Sequence, residues 1–311
     1  MNMSDMSNSN TIAFLGEGGL RVSQQEKLEQ TLGELAELVF PGRVRASYVC
    51  GSVATGECVM GSDFDLFVVF KEEASEGDRA SLARMGELLS PMFGREIDTR
   101  AVGEDDLFRG TNTSVVLKLS GRLLRGEDVV PRIHLPGIED YVNDRFQDSV
   151  CLVAFGLRPQ RQRATDVLEI PLMHPDENGE FFGYDRRTKK SMRDLVTTLG
   201  WGVTTLVAQR TSSHVSTKAE AFRSYATVIG GPWAPLLQEL VGRCRDEWAY
   251  EVPPDRASRV VLRRICRDVL GFENHLLEMY KAHLLEMLDE DKRSKVDGAR
   301  LLRLALEHMR R

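Results

Sequence analysis

Apolar positions recur along this chain in two different periods, and the change from one to the other divides it. Leu28, Leu32, Leu35 and Leu38 repeat at helical spacing over residues 23–40, with Ser23 and Glu26 set as a capping box and Pro41-Gly42 as a stop. Two compact apolar runs follow, at 44–50 and 63–70, of strand length. The charged stretch 71–79 predicts a solvated connection, and Leu82, Met85, Leu88 and Leu89 an amphipathic helix after it. Residues 95–102 alternate as a third strand. From about Ser114 the pattern is helical: 115–124, 138–157, 191–209, 218–229, 235–250 and 257–288. A last helix over 295–309 ends in basic residues, which suits its dipole.

This texture predicts a flexible lead at 1–20, an α/β domain with a mixed sheet at 21–155, and an all-α helical bundle at 156–311. Gly16, Gly18 and Gly19 follow no βαβ unit and read as linker. The least regular stretch is 158–190. It opens with Arg158, Arg161 and Arg163, carries the turn signal Asp176-Glu177-Asn178-Gly179, and continues through Phe181-Phe182-Gly183-Tyr184. Two readings fit it: a segment closing over a ligand, or a hairpin packing the two halves together.

Composition narrows the classes. The 311 residues are 42% hydrophobic and 28% charged, ordinary for a globular protein of two domains. A net charge of -6 argues against a nucleic-acid binder, which carries a basic surface. No apolar run reaches membrane-spanning length and residues 1–10 lack signal-peptide regions, so no membrane partner and a cytoplasmic location are expected. Cys50, Cys58, Cys151, Cys244 and Cys266 form no CxxC pair, which predicts free thiols. The six histidines show no metal-ligand spacing. Trp201, Trp233 and Trp248 sit at helical positions and read as core.

The chemistry concentrates at 48–70. Gly51-Ser52 ends the first predicted strand; Ser62-Asp63-Phe64-Asp65-Leu66 opens the second. Residues two apart on a strand share a face, so the Asp63 and Asp65 carboxylates converge as a hard divalent cation requires. Gly51 permits close backbone approach, and Ser52 can open a helical turn whose free N–H groups hold phosphate. A phosphate cradle beside a metal-binding pair indicates nucleoside triphosphate chemistry.

Gly51, Ser52, Gly56, Ser62, Asp63, Asp65 and Leu66, in this register, resemble the nucleotidyltransferase superfamily of DNA polymerase beta. Segments 119–128 and 215–221 with the helices around them look similar to the streptomycin/spectinomycin (aminoglycoside) adenylyltransferases. The resemblance implies Mg2+ held by Asp63, Asp65 and a third carboxylate, with Gly51, Ser52 and Ser62 on the nucleotide. The third strand offers Glu96 and Asp98 on one face; the superfamily's pattern points to Asp98, with Glu96 the alternative. By the same resemblance Lys218, at a helix start capped by Ser216 or Thr217, reaches the triphosphate. The implied function is transfer of AMP from ATP to a hydroxyl of a small molecule, with an aminoglycoside as one candidate and antibiotic resistance as its consequence. The alternatives are a protein or tRNA acceptor, or a catalytically silent nucleotide-binding module. Asp246, Glu247 and Glu251 are candidate contacts for an amine-bearing substrate, and exposed helix-end positions explain them equally.

Overall fold

A four-stranded mixed sheet carries the first half of the chain. The computed structural model describes residues 22–153, 179–185 and 191–289. The expected lead, most of the 158–190 segment and the helix over 295–309 lie outside the described residues.

Strands β1 (Val44–Cys50), β2 (Phe64–Phe70), β3 (Ile97–Gly103) and β4 (Arg122–Gly126) stand in the order β3-β2-β1-β4. β1 runs antiparallel to β2 and β4, whereas β2 and β3 are parallel. A parallel pair needs a crossover. Helix α3 (Glu76–Phe93) supplies it, started by a capping box between Ser75 and Asp78 and ended by Gly94. Alternation along the strands separates two cores. Val49, Leu66, Val68 and Phe70 pack with Leu28 and Leu32 of helix α1 (Val22–Val39) and Leu82 of α3. Tyr48, Cys50, Phe67 and Val69 face Leu107 and Leu117 on the other side. Those two leucines lie on α4 (Glu104–Phe108) and α5 (Asn112–Ser120), the latter capped by Thr111. A short helix, α2 (Gly51–Ala54), joins β1 to the β2 approach.

The second half is helical. Helices α6 (Ile138–Cys151), α7 (Arg193–Thr211), α8 (Lys218–Val228), α9 (Ala234–Leu240) and α10 (Arg256–Asp289) enclose one apolar cluster that includes Phe146, Leu199, Val203, Phe222 and Phe272. Among the described residues no helix is long and apolar enough to cross a membrane. All five cysteines are free.

Three local expectations are corrected. Helix α1 already includes Val22, so Ser23 lies within it and the expected capping box does not start it. The predicted helix over 115–124 stops at Ser120, and Arg122–Gly126 pairs with β1 as the fourth strand. Its Leu123-Leu124 pair, flanked by arginines on an exposed edge, carries too little alternation to reveal a strand. The predicted helix over 235–250 becomes α9, then a π-helix at Val241–Glu247, then Ala249 and Tyr250 with φ of 47° and 67°. Left-handed backbone at two non-glycine residues is strained and recurs near functional sites. Here it turns Tyr250 into the cleft between the halves, where the Tyr250 carbonyl accepts the Met192 N–H at 2.6 Å.

Candidate active site

The strand register builds the acidic cluster. Asp65 on β2 stands opposite Asp98 on the parallel β3, and Asp63 immediately precedes β2. The Phe64 N–H donates to the Glu96 carbonyl at 2.8 Å, holding the two strand starts together. Asp63, Asp65 and Asp98 each offer a carboxylate oxygen within 4.8 Å of the others. Glu96, one position before β3, lies outside the cluster; its carboxylate accepts from Arg193 instead.

Across from the acids, β1 ends at Cys50, which pairs with Asp65. Gly51 follows at φ +65°, and a Cβ there would lie 2.5 Å from Asp65 Oδ2. The backbone therefore passes against a buried carboxylate at a distance no side chain allows. Ser52 is the second residue of α2 and lines the cavity. Ser62 lines it too, but its Oγ already accepts the Val59 N–H at 2.9 Å and shapes the turn before β2.

The helical half closes the cleft. Thr217 caps α8 by accepting the Glu220 N–H at 3.1 Å, so Lys218 is the first residue of that helix. Lys218 Nζ lies 4.6 Å from the centre of the Trp201 ring, and the Arg145 guanidinium lies 4.1 Å from the same ring. Such cation–π contacts strengthen as water is excluded. Arg193 of α7 donates to Asp63 Oδ2 at 2.5 Å and to Glu96. The junction continues at Glu57, which accepts from Thr217 Oγ1 at 3.2 Å and from Arg223 at 2.6 Å, while Arg245 donates to its carbonyl. Together these elements line a cleft of about 590 Å³ reached by Ser52, Asp63, Asp65, Trp201 and Lys218.

The acids of the site crowd one another among cations. Burial, then the neighbouring Asp63 charge and that of Asp98, raise the Asp65 carboxyl above its ordinary range, with Lys218 and Arg100 acting against the shift. Burial lowers Lys218, while Asp63 and Asp65 oppose that. For Arg193, burial disfavours the charge, but Asp63 and Glu96 outweigh it and the guanidinium is held more firmly charged. Crowded carboxylates that resist joint ionisation are relieved by a bound cation. The oxygen-only donor set of three carboxylates fits Mg2+.

The sequence-predicted residues Gly51, Ser52, Ser62, Asp63, Asp65 and Lys218 all line this cavity, and Asp98 joins its acidic cluster. Sequence reasoning missed Arg145, Arg193 and Glu57, and assigned Trp201 to the core. Trp201 had a detectable signal, lying on the helix just upstream of the Lys218 segment; the other three had none. Asp246, Glu247 and Glu251 are absent from the cavity wall, and the first two are engaged by Arg245 and Arg243.

Residues 27–118 match the model of the nucleotidyltransferase domain family. Among solved structures, the chain is similar to spectinomycin adenyltransferase AAD(9) from Enterococcus faecialis, with ATP and spectinomycin, at 11% identity and a TM-score of 0.46 over 82% of this chain and 98% of that one. It is also similar to a toxin-antitoxin structure with AMP-PNP, at 16% identity and a TM-score of 0.25 over 34% of this chain and 76% of that one. No curated protein matches the chain.

Proposed function

We propose that this chain, an enzyme whose residues 27–118 form a nucleotidyltransferase domain, transfers AMP from ATP to a hydroxyl of a small molecule in a Mg2+-dependent reaction. One observation carries the reading: the oxygens of Asp63, Asp65 and Asp98 lie within 4.8 Å of one another, and Asp63 and Asp65 line a cavity with Ser52 and Lys218.

Asp63, Asp65 and Asp98 would hold the metal, which when bound neutralises triphosphate charge and polarises the phosphoryl oxygens. The chain's own groups do the rest. Ser52 and Lys218 grip the terminal phosphates from opposite halves of the protein. The Trp201 ring fixes the Lys218 ammonium and keeps water from it. Asp98, exposed at the start of β3, accepts the proton of the acceptor hydroxyl through a carboxylate oxygen. The hydroxyl oxygen then bonds to the α-phosphorus, the bond from that phosphorus to the β-phosphate oxygen breaks, and pyrophosphate leaves. Alignment of these groups supplies most of the acceleration expected for phosphoryl transfer.

A cleft of about 590 Å³ is of the size that holds a small acceptor. An aminoglycoside would bring several ammonium groups and need carboxylates beyond the metal cluster. The acids that remain on the described wall are Glu57, held by Arg223 at 2.6 Å, and Asp148, bonded by Asn112 at 3.3 Å.

The test is pyrophosphate release with Mg2+ from each of the four ribonucleoside triphosphates, against a panel of hydroxyl acceptors, beside Asp63→Asn. Release with ATP that disappears in the variant, whose fold is verified by circular dichroism, is the expected result. Equal release by the variant, or Mg2+-independent turnover, removes the assignment of the acidic cluster. Nucleotide binding with no turnover of any acceptor would identify a silent module instead.

A further inference from the structure

Lys218, Arg145 and Arg100 form a row of cations around the cavity. Arg145 is close enough to both of the others for each charge to weigh on its neighbour. Arg145 is only 6% exposed, and its Nε has no hydrogen-bond partner among the described residues. Its nearest carboxylate is Asp148, at 4.0 Å, and its Nη2 donates to the Asn112 carbonyl at 3.3 Å. Asn112 Oδ1 beside it is likewise buried without a partner. Arg100 forms no ion pair with any described carboxylate; its guanidinium lies 5.9 Å from the Phe67 ring. Arg100, Arg145 and Asn112 all line the cavity.

The sheet order assigns these groups to different parts of the reaction. β3 is one edge of the sheet, separated from β1 by β2. Ser52 follows β1, so the phosphate-gripping flank lies on one side of Asp63 and Asp65 and the Asp98–Arg100 flank on the other. Arg100 follows Asp98 by two residues on one strand and shares its face. A triphosphate held at Ser52 and Lys218 lies on the other flank from Arg100, whose exposed guanidinium stands beside the residue that takes the acceptor's proton. Cations that line one cavity repel one another, and an anion bound among them relieves that repulsion.

We infer that Arg100 and Arg145, with Asn112, form an acceptor subsite for a small hydroxyl compound that also carries an anionic group, a phosphate or a carboxylate. The inference rests on the nucleotidyl-transfer reading above and names its acceptor class. Arg100 holds the anion so that Asp98 does not repel it, and Arg145, set against the Trp201 ring in the cavity wall, adds a second positive charge. An acceptor rich in ammonium groups meets like charges here and is excluded.

The test uses the full chain loaded with Mg2+ and α,β-methylene ATP, which fills the triphosphate site without reacting. Glycerol 3-phosphate, glycerol and 2-amino-1,3-propanediol are then titrated by calorimetry as anionic, neutral and cationic probes of similar size. The expected order places glycerol 3-phosphate at least tenfold tighter than the other two. Arg100→Met should weaken it about tenfold to a hundredfold while analogue binding changes less than twofold, and Arg100→Lys should restore much of the loss. Tighter binding of the aminodiol, or glycerol 3-phosphate binding that Arg100→Met leaves unchanged, overturns the anionic subsite and leaves nucleotidyl transfer standing. An oligoribonucleotide that binds the loaded protein in place of glycerol 3-phosphate also overturns it, in favour of an RNA end. Failure of the analogue itself to bind with Mg2+ strikes the nucleotidyl-transfer reading first, and the subsite with it.

Discussion

Replacing Gly51 by alanine separates the backbone's role from the carboxylate's. The new methyl would sit 2.5 Å from Asp65 Oδ2, where ordinary contact begins at 3.4 Å, so the carboxylate or the β1–α2 turn must yield by about 0.9 Å. A misplacement near 1 Å in a reacting constellation costs on the order of 100-fold in rate. The left-handed backbone, φ +65°, adds about 1–2 kcal/mol of instability for a residue with a Cβ. Gly56→Ala is the matched control: its φ is +73°, but a Cβ there meets nothing within 4 Å. Gly56→Ala should therefore lose a few degrees in Tm by differential scanning fluorimetry, and Gly51→Ala, with its added clash, at least as much. Only Gly51→Ala should lose about 100-fold in initial pyrophosphate release, with its Mg2+ half-saturation raised as well. If Gly51→Ala keeps activity within threefold of Gly56→Ala, the close approach of the turn to Asp65 has no bearing on the site and the argument fails.

Three further outcomes are expected. Lys218→Ala should weaken ATP binding by about 10- to 100-fold, measured by equilibrium titration, since a charge-assisted phosphate contact is lost from a water-poor cavity; AMP, lacking the terminal phosphates, should bind both proteins alike. Arg193→Gln frees the Asp63 oxygen that Arg193 occupies at 2.5 Å, so Mg2+ titrated without nucleotide should bind the variant several-fold more tightly; a weaker affinity would show that Arg193 assists the site rather than competing with the cation. The Arg43 guanidinium, bonded at 2.6 Å, holds Asp78 well below the usual carboxylate range, with Ser75 adding to the effect. A carboxyl depressed on folding stabilises above its unfolded pKa of about 4 and loses that contribution as pH falls further. Denaturant unfolding of Asp78→Asn should thus lie about 1–2 kcal/mol below the parent at pH 7, with the gap closing below pH 4; a constant gap would sink the assignment.

What was legible in the sequence was whatever has a local period or a fixed short spacing. The i, i+2 placement of Asp63 and Asp65, the Gly51-Ser52 turn ahead of them, and the amphipathic repeats of α1, α3, α7, α8 and α10 are properties of contiguous residues. β4 was not legible, because a five-residue exposed edge strand needs its β1 partner to exist as one. Nor was the π-helix at Val241–Glu247, since the helical period runs through it and only the loop beyond, packed beside Gly61, reveals the break.

The sequence by itself determined the Asp63–Asp65 pair, the Gly51-Ser52 turn and the change from α/β to helical texture, since backbone geometry acting over a few residues dictates each of them. The resemblance pointed to Asp98 with Glu96 as the alternative; the tertiary structure set Asp98 in the acidic cluster through the parallel β2–β3 register and diverted Glu96 to Arg193. It alone brought Arg145, Trp201 and Lys218 from three helices onto one wall. Side chains that meet across tens of residues share no spacing that a one-dimensional pattern records; their meeting is fixed by how the sheet and the helices bury their apolar faces.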